Sequence, residues 1–459
     1  MKRLVLLLLL PALAGCGSRS IDTASPVSPP SRPSVHPVDW FTVAVTVVDG
    51  NTHHLVVHAK VRVAGKSALT DRRGVATFAF RHKAALVTTV TAPGYAGTEL
   101  RLPFPTHPAS TVQLYRPALQ WPMYGVDAQR TQAQTQIDLK PPFRIVWSRS
   151  VGGLAEFPAV VSDGTAYIGN AHGVVQAFDM NTGNRLWRHA TPHGEMASSP
   201  AVWDDRIVVH GMDGDVWVLR RTDGRLLSHF AVGSPIESSP VVADGIDYFG
   251  AWNGNVYALD LRTNRLRWTF RSGCKITSSP SLSQGSLYVG DYCGRLLALF
   301  RGNGRERWSG GVNGRVYGTP AVAAGRVFVP SSDGDSMTAF STRGRFLWRR
   351  SFGSFVYSSP AVWGGRVFFG TYGGRFYGLL ARNGRTLWSV DAGGPISGAA
   401  AVVDGVAYAG SFAHRILGVD ARNGRVLLDF PHGEYVPVSG DGSHLLLHGY
   451  SRIYAVVHR

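Results

Sequence analysis

The chain has 459 residues, room for about two or three domains, and its 44% hydrophobic and 11% aromatic content excludes a largely disordered protein. Only 17% of residues are charged while glycine reaches 54, a balance that argues against coiled coils and helical bundles and for many short strands joined by tight turns. Lysine and arginine (47) exceed aspartate and glutamate (30), giving +17 and a surface that should prefer anionic neighbours such as phospholipid, wall polymers or nucleic acid.

Residues 1–16 read MKRLVLLLLLPALAGC. Lys2 and Arg3 precede an apolar run over residues 4–10, far short of the ~20 residues that span a bilayer, which is the pattern of an export signal. It ends in Leu13-Ala14-Gly15-Cys16, which resembles the lipobox of bacterial lipoproteins. That resemblance implies a signal peptide over 1–15, cleavage before Cys16, and a lipid on its thiol. The membrane then becomes a partner through that lipid, and the protein is extracytoplasmic. Nucleic acid is not expected as a partner in that compartment. Residues 16–39 are dominated by Ser and Pro, with little to bury, and read as a tether.

From residue 40 to 117 short β-runs follow: 41–48, 54–63, 75–80, 85–92 and 110–115, with Gly, Asp, Asn and Pro between them. They predict a small antiparallel β-sandwich. Thr70-Asp71-Arg72-Arg73-Gly74 and Ala92-Pro93-Gly94-Tyr95 resemble the carboxypeptidase regulatory-like (transthyretin-like) module, which implies a spacer or adhesion unit. Gly65-Lys66-Ser67 ends like a phosphate loop, but Lys60 stands where the first glycine is needed. His54 and His58, if they share one strand face, are ~13 Å apart and cannot share a metal.

Residues 118–459 form a repeat array. A residue opening an apolar run recurs at Pro158, Pro200, Pro240, Pro280, Pro320, Pro360, Ala400 and Pro437, mostly 40 apart. A large apolar residue recurs at Trp147, Trp187, Leu227, Trp268, Trp308, Trp348, Trp388 and Leu428. Each unit holds four strand-length segments split by Asp-Gly, Asn-Gly or similar turns, the pattern of a propeller blade. Eight blades need roughly 320 residues, and residues 143–459 supply 317. The chain stops after a third strand (451–459), while 143–150 is a fourth strand with no blade before it. The two should complete one another and close the ring. The fold class predicted is therefore all-β: an eight-bladed β-propeller preceded by a small β-sandwich.

Runs such as SSPAV and GRVFFGTYGGRFYGLLARNGRTLW resemble the pyrroloquinoline-quinone-like (PQQ-like) propeller repeat, and Trp121-Pro122-Met123-Tyr124-Gly125 with Asp127, Arg130 and Thr131 resembles the lead-in before such propellers. Members that oxidise alcohols hold PQQ and Ca²⁺ in the central funnel, many with a disulfide between adjacent cysteines. This chain has no adjacent cysteines and its blades lack long insertions. No cofactor, PQQ included, and no metal are therefore expected. HExxH, GxSxG and GxGxxG are missing, and Ser272-Gly273-Cys274-Lys275 fits SxxK only in a turn, so no catalytic residue is assigned.

The segments leading into the inner strands carry Glu156, Glu195, Glu237, Lys275, Arg315, Tyr317, Phe355 and Tyr357, predicting a funnel mouth acidic on one side and basic to aromatic on the other. Arg185, Arg225, Arg265, Arg305, Arg345, Arg385 and Arg425 recur every 40 residues and should ring the opposite face, either as a wet surface or as a dock for anionic lipid or polymer. With Cys16 lipidated, Cys274 and Cys293 remain. Strand order puts both at the same end of one blade, which predicts a disulfide.

The combination resembles propeller lipoproteins that serve as scaffolds in outer-membrane barrel assembly. It implies a monomeric, membrane-anchored binding protein whose partners are envelope proteins or anionic envelope polymers. A quinone-dependent dehydrogenase and a ligand-sensing ectodomain are the alternatives.

Overall fold

A computed structural model describes residues 40–81, 86–102, 109–192 and 194–459. The signal sequence, Cys16 and the tether lie outside them.

Residues 40–117 form two sheets. One holds Val75–Phe80, Phe41–Asp49 and Ala109–Leu114 in that order; the other holds Lys66–Leu69, Lys60–Val63, Leu86–Thr91 and Thr98–Leu102. Strand alternation makes the core: Val43, Val45 and Val47 are buried along the first strand and meet Val61, Val63, Phe78 and Val90. Three expectations change. The first sheet is mixed, because Phe41–Asp49 runs parallel to Ala109–Leu114 after the chain has passed through the second sheet. The run 54–63 is a strand only from Lys60; His53 and His58 take positive φ, so His54 and His58 sit exposed on a loop. Thr98–Leu102 adds a strand that the sequence reading leaves out.

Beyond them, among the described residues, eight sheets follow in chain order, seven of four strands and one that also takes in Ala133–Gln134. One blade shows the logic. Val241–Ala243, Ile246–Gly250, Asn255–Asp260 and Arg265–Arg271 pair antiparallel in sequence. Asp244 and Gly245 turn between the first two with φ of 54° and 75°, the left-handed pair that a two-residue hairpin needs. The first three strands are almost wholly buried because neighbouring blades cover both faces, while the outermost is largely exposed. The ring closes as the termini predict: Arg452–His458 pairs with Phe143–Ser150, and the inner strand Val160–Ser162 packs between Ala201–Trp203 and Gly433–Gly440.

Two repeated devices join blade to blade. Near the axis, Ser199 N–H donates to Ser239 Oγ (3.0 Å), Ser239 N–H to Ser279 Oγ (2.8 Å) and Thr319 N–H to Ser359 Oγ (2.9 Å). At the circumference, the indole N–H of Trp147, Trp187, Trp268, Trp308, Trp348 and Trp388 donates to a carbonyl in the next blade's last turn. The ring lies so close over that turn that a Cβ at Gly304 would fall 2.4 Å from Trp268. Where Leu227 replaces tryptophan, Asn264 replaces the glycine beneath it.

The lead-in lies inside this ring. Trp121 pairs with Val161 and Met123 with Ala201; the carbonyls of Ala128, Gln129, Thr131 and Gln132 then accept from the N–H groups of Leu282, Val322, Val362 and Val402. Arg130 serves the blade between these stretches. It is 0% exposed and donates to Pro240 O (2.8 Å), Ser239 O (3.1 Å), Pro280 O (2.9 Å) and Tyr124 O. Burial lowers its pKa to about 10, still cationic at neutral pH.

Candidate functional site: the floor and rim of the propeller funnel

One end of the ring gathers the segments that lead into the inner strands and the turns between second and third strands. Backbone bonds tie them together: Trp252, Tyr292, Tyr372 and Phe412 N–H donate to the carbonyls of Pro235, Lys275, Phe355 and Pro395. These turn residues recur at 40-residue spacing, a column the sequence reading did not use.

Depth, not side, sorts the predicted mouth residues. Glu237, Tyr317 and Tyr357 stand three positions before their blade's proline and line a cavity, joined by Glu156 two positions before Pro158. Glu195, Lys275, Arg315 and Phe355 stand five before theirs, in the register held by the turns, and do not line it. The acidic-versus-basic division of the mouth is thereby corrected. The carboxylates Glu156 and Glu237 lie deep with aromatic rings, whereas Glu195 is exposed and the two cations stay at the rim. Lys275 Nζ sits 3.3 Å from the centre of the Trp252 ring, and Arg315 Nε is 2.9 Å from Asp333 Oδ2.

The cavity is small, about 40 Å³. Tyr124 from the lead-in, Phe157 and Tyr435 complete its aromatic wall, and Thr277, Ser279, Thr319, Ser359 and Ser397 add hydroxyls. Sequence reasoning missed Tyr124, Phe157 and Tyr435: the first belongs to the lead-in, and the last to the one blade whose spacing breaks to 37. Glu237 Oε2 accepts from Trp252 Nε1 at 3.0 Å. Burial, then the Glu237 carboxylate, raises Glu156 to about 7. Burial, then the charges of Glu237 and Glu156, pushes Tyr317 upward, so it stays a neutral hydroxyl.

Above the floor, ring contacts run Tyr317–Tyr357 (5.7 Å), Tyr357–Tyr372 (5.7 Å), Tyr372–Phe412 (6.2 Å) and Phe412–Tyr435 (5.1 Å). Phe355 and Tyr372, 44% and 43% exposed, present this belt to solvent. Cys274 and Cys293 are joined in a disulfide at the same rim, with Cα atoms 5.8 Å apart.

Other candidates separate from this site. Ser272 closes a turn on Cys274, its N–H donor at 3.1 Å, while Lys275 packs on Trp252, so no Ser–Lys pair forms. Lys66 donates to Ala79 O within the sandwich. The seven repeated arginines are exposed at the opposite end, beside the turns that join first to second strands. Arg185 donates to Gln176 Oε1 at 3.3 Å. The sandwich meets the propeller at this same end, where Glu99, Gln113 and Tyr115 line a crevice together with Asp163, Thr165 and Arg221. Among the described residues no group of three His, Cys, Asp or Glu is placed to hold a metal ion.

A family profile described as outer membrane protein assembly factor BamB matches residues 141–270, 252–344 and 341–432. The outer membrane protein assembly factor BamB of Xanthomonas campestris pv. campestris is 31% identical over 120 residues, which is 22% of this chain and 29% of that protein. The chain thus aligns with under a third of that curated relative. Among solved structures, BamB from Moraxella catarrhalis superposes with a TM-score of 0.61 at 13% identity, covering 69% of this chain and 99% of that one. Quinohemoprotein alcohol dehydrogenase from Comamonas testosteroni gives 0.63 at 15% identity, covering 74% and 80%. Both likenesses concern the fold.

Proposed function

The chain belongs to the PQQ-like propeller family described as outer membrane protein assembly factor BamB, and from that premise we propose that it is an interaction scaffold of the cell envelope. The surface that does the work is the aromatic mouth of the funnel. One observation carries this reading: a chain of touching rings from Tyr317 to Tyr435, with Phe355 and Tyr372 left more than two-fifths exposed. Rigid aromatic side chains contribute large contact area at low entropic cost, which is why they dominate the energetics of protein interfaces. That the relatives are outer membrane protein assembly factors supports carrying a partner-holding role over to this chain. Anchoring through a lipid on Cys16 belongs to the same proposal and would hold the scaffold at a membrane.

A dehydrogenase reading draws on the fold likeness to quinohemoprotein enzymes. Two features of the funnel count against the quinone. Its site would need the several hundred Å³ usual for a small-molecule pocket, on the order of 300 Å³ at least, against about 40 Å³ at the funnel floor. The disulfide joins cysteines 19 apart rather than adjacent ones. We derive no step through that cofactor.

The scaffold reading is tested with a photo-crosslinking amino acid at position 355 or 372 in intact cells. Capture of a defined envelope protein, reduced when the neighbouring ring is replaced (Tyr357→Ala), supports it. Equal capture from a probe at exposed Leu186, on the outer edge of a blade, overturns it.

A further inference from the structure

Resting on the scaffold reading, we propose that the funnel floor is a receptor for one primary ammonium group, the tip of a lysine side chain inserted by the partner polypeptide.

Space comes first. The cavity is small, about 40 Å³. So small a space suits an ammonium and its last methylene rather than a whole small molecule, and a trimethylated head would bring no N–H to the carboxylates. Charge comes second. Glu156 makes no hydrogen bond or ion pair with any described residue, and Glu237 accepts from one neutral donor, Trp252 Nε1. The rim cations pair with other groups, Lys275 with the Trp252 ring and Arg315 with Asp333. Two carboxylates therefore face the cavity with no cation paired to either among the described residues, a costly arrangement in a partly desolvated site.

The walls supply the rest. Tyr124, Phe157, Tyr317, Tyr357 and Tyr435 surround the space, and ring faces attract cations. Thr277, 5% exposed and lining the cavity beside the Tyr292 hydroxyl, has an Oγ1 without a hydrogen-bond partner of ordinary geometry. An ammonium carries three donors and no acceptor. Two carboxylates and a hydroxyl match that number. The chain itself uses the same chemistry nearby, where Lys275 is seated between Trp252 and Tyr292.

Proton linkage follows from the same groups. Across the cavity Glu156 faces Glu237 and tyrosines 124, 317, 357 and 435. With Glu156 raised to about 7, the site must release a proton to accept a cation below that pH. Affinity should fall roughly tenfold from pH 8 to pH 6.

The test is calorimetric titration of the purified full chain with the capped tripeptide Gly-Lys-Gly, its Nε-acetyl and Nε-trimethyl forms, and free n-butylammonium. The lysine peptide should bind, with the Nε-acetyl and trimethyl forms at least tenfold weaker. Glu156→Gln and Glu237→Gln should each weaken it tenfold or more while thermal melting shows them folded. Equal binding of the acetylated peptide, or unchanged affinity in both variants, overturns the proposal. n-Butylammonium binding as tightly as the peptide overturns its polypeptide source in favour of a free amine. Crosslinking at position 355 that persists without lysine binding sinks this inference and leaves the scaffold standing; loss of crosslinking alone sinks the scaffold.

Discussion

Glu156 stores a cost that pH can reveal. Its folded pKa, raised to about 7 by burial and then by Glu237, lies above the 4.5 of the unfolded chain, so the fold prefers the protonated form. The associated stability is fully present below pH 4.5 and is lost as pH rises through 7. The difference between the two values amounts to about 3 kcal/mol once both states are ionised. Glu156→Gln should therefore match the wild type near pH 4 and exceed it by about that amount at pH 8, measured by urea denaturation across pH. Parallel stability curves would show that the carboxyl is not perturbed. At this scale the sequence was partly legible. Glu237, Tyr317 and Tyr357 are readable as funnel residues once the repeat is aligned, because three-before-proline is a fixed register. Tyr124 was not, since nothing in its neighbours says that the lead-in enters the ring. Glu195 and Arg315 misled because polar residues two positions apart in one segment are held at different depths by the backbone bonds of the adjoining turn.

The blade is the element whose internal geometry the sequence states most directly. Asp-Gly turns, buried apolar runs and a periodic tryptophan each reflect a physical constraint that must be met again in every copy. Less legible were the sandwich strands, where a single short alternation such as 98–102 has no second copy to confirm it, and two left-handed histidines turn an apparent strand into a loop. The Cys274–Cys293 bridge ties the segment before one inner strand to the turn beside Tyr292, at the rim next to Lys275. Closing a loop of that length should stabilise the fold by about 3 kcal/mol. Thiol titration of denatured, unreduced protein should find neither Cys274 nor Cys293 reactive, and Cys293→Ser should lose about that stability in chemical denaturation. Two reactive thiols would overturn the bridge.

At the scale of the molecule, the proposed anchor and the propeller make separable predictions. Cys16→Ser should move the protein from the membrane pellet to the soluble fraction in low and high salt alike. A variant that stays membrane-bound in high salt refutes the lipid site, and one released only by high salt shifts the credit to the ring of arginines. The ring itself follows from sequence because the fourth-strand segment 143–150 and the third-strand segment 451–459 each complete the other, yet what fills its centre does not. The lead-in touches the inner strands in blade order, giving the carbonyls of Ala128, Gln129, Thr131 and Gln132 to four successive blades and Arg130 to the one before them. Repeat arrays ordinarily gain or lose a unit by duplication or deletion, since each copy meets only its neighbours. Here an added copy would arrive without a carbonyl waiting for it, and deleting any one of these five would orphan a carbonyl or the Arg130 guanidinium. A segment of fourteen residues, 121–134, thus acts as a gauge that counts the blades and makes the repeat number resistant to drift.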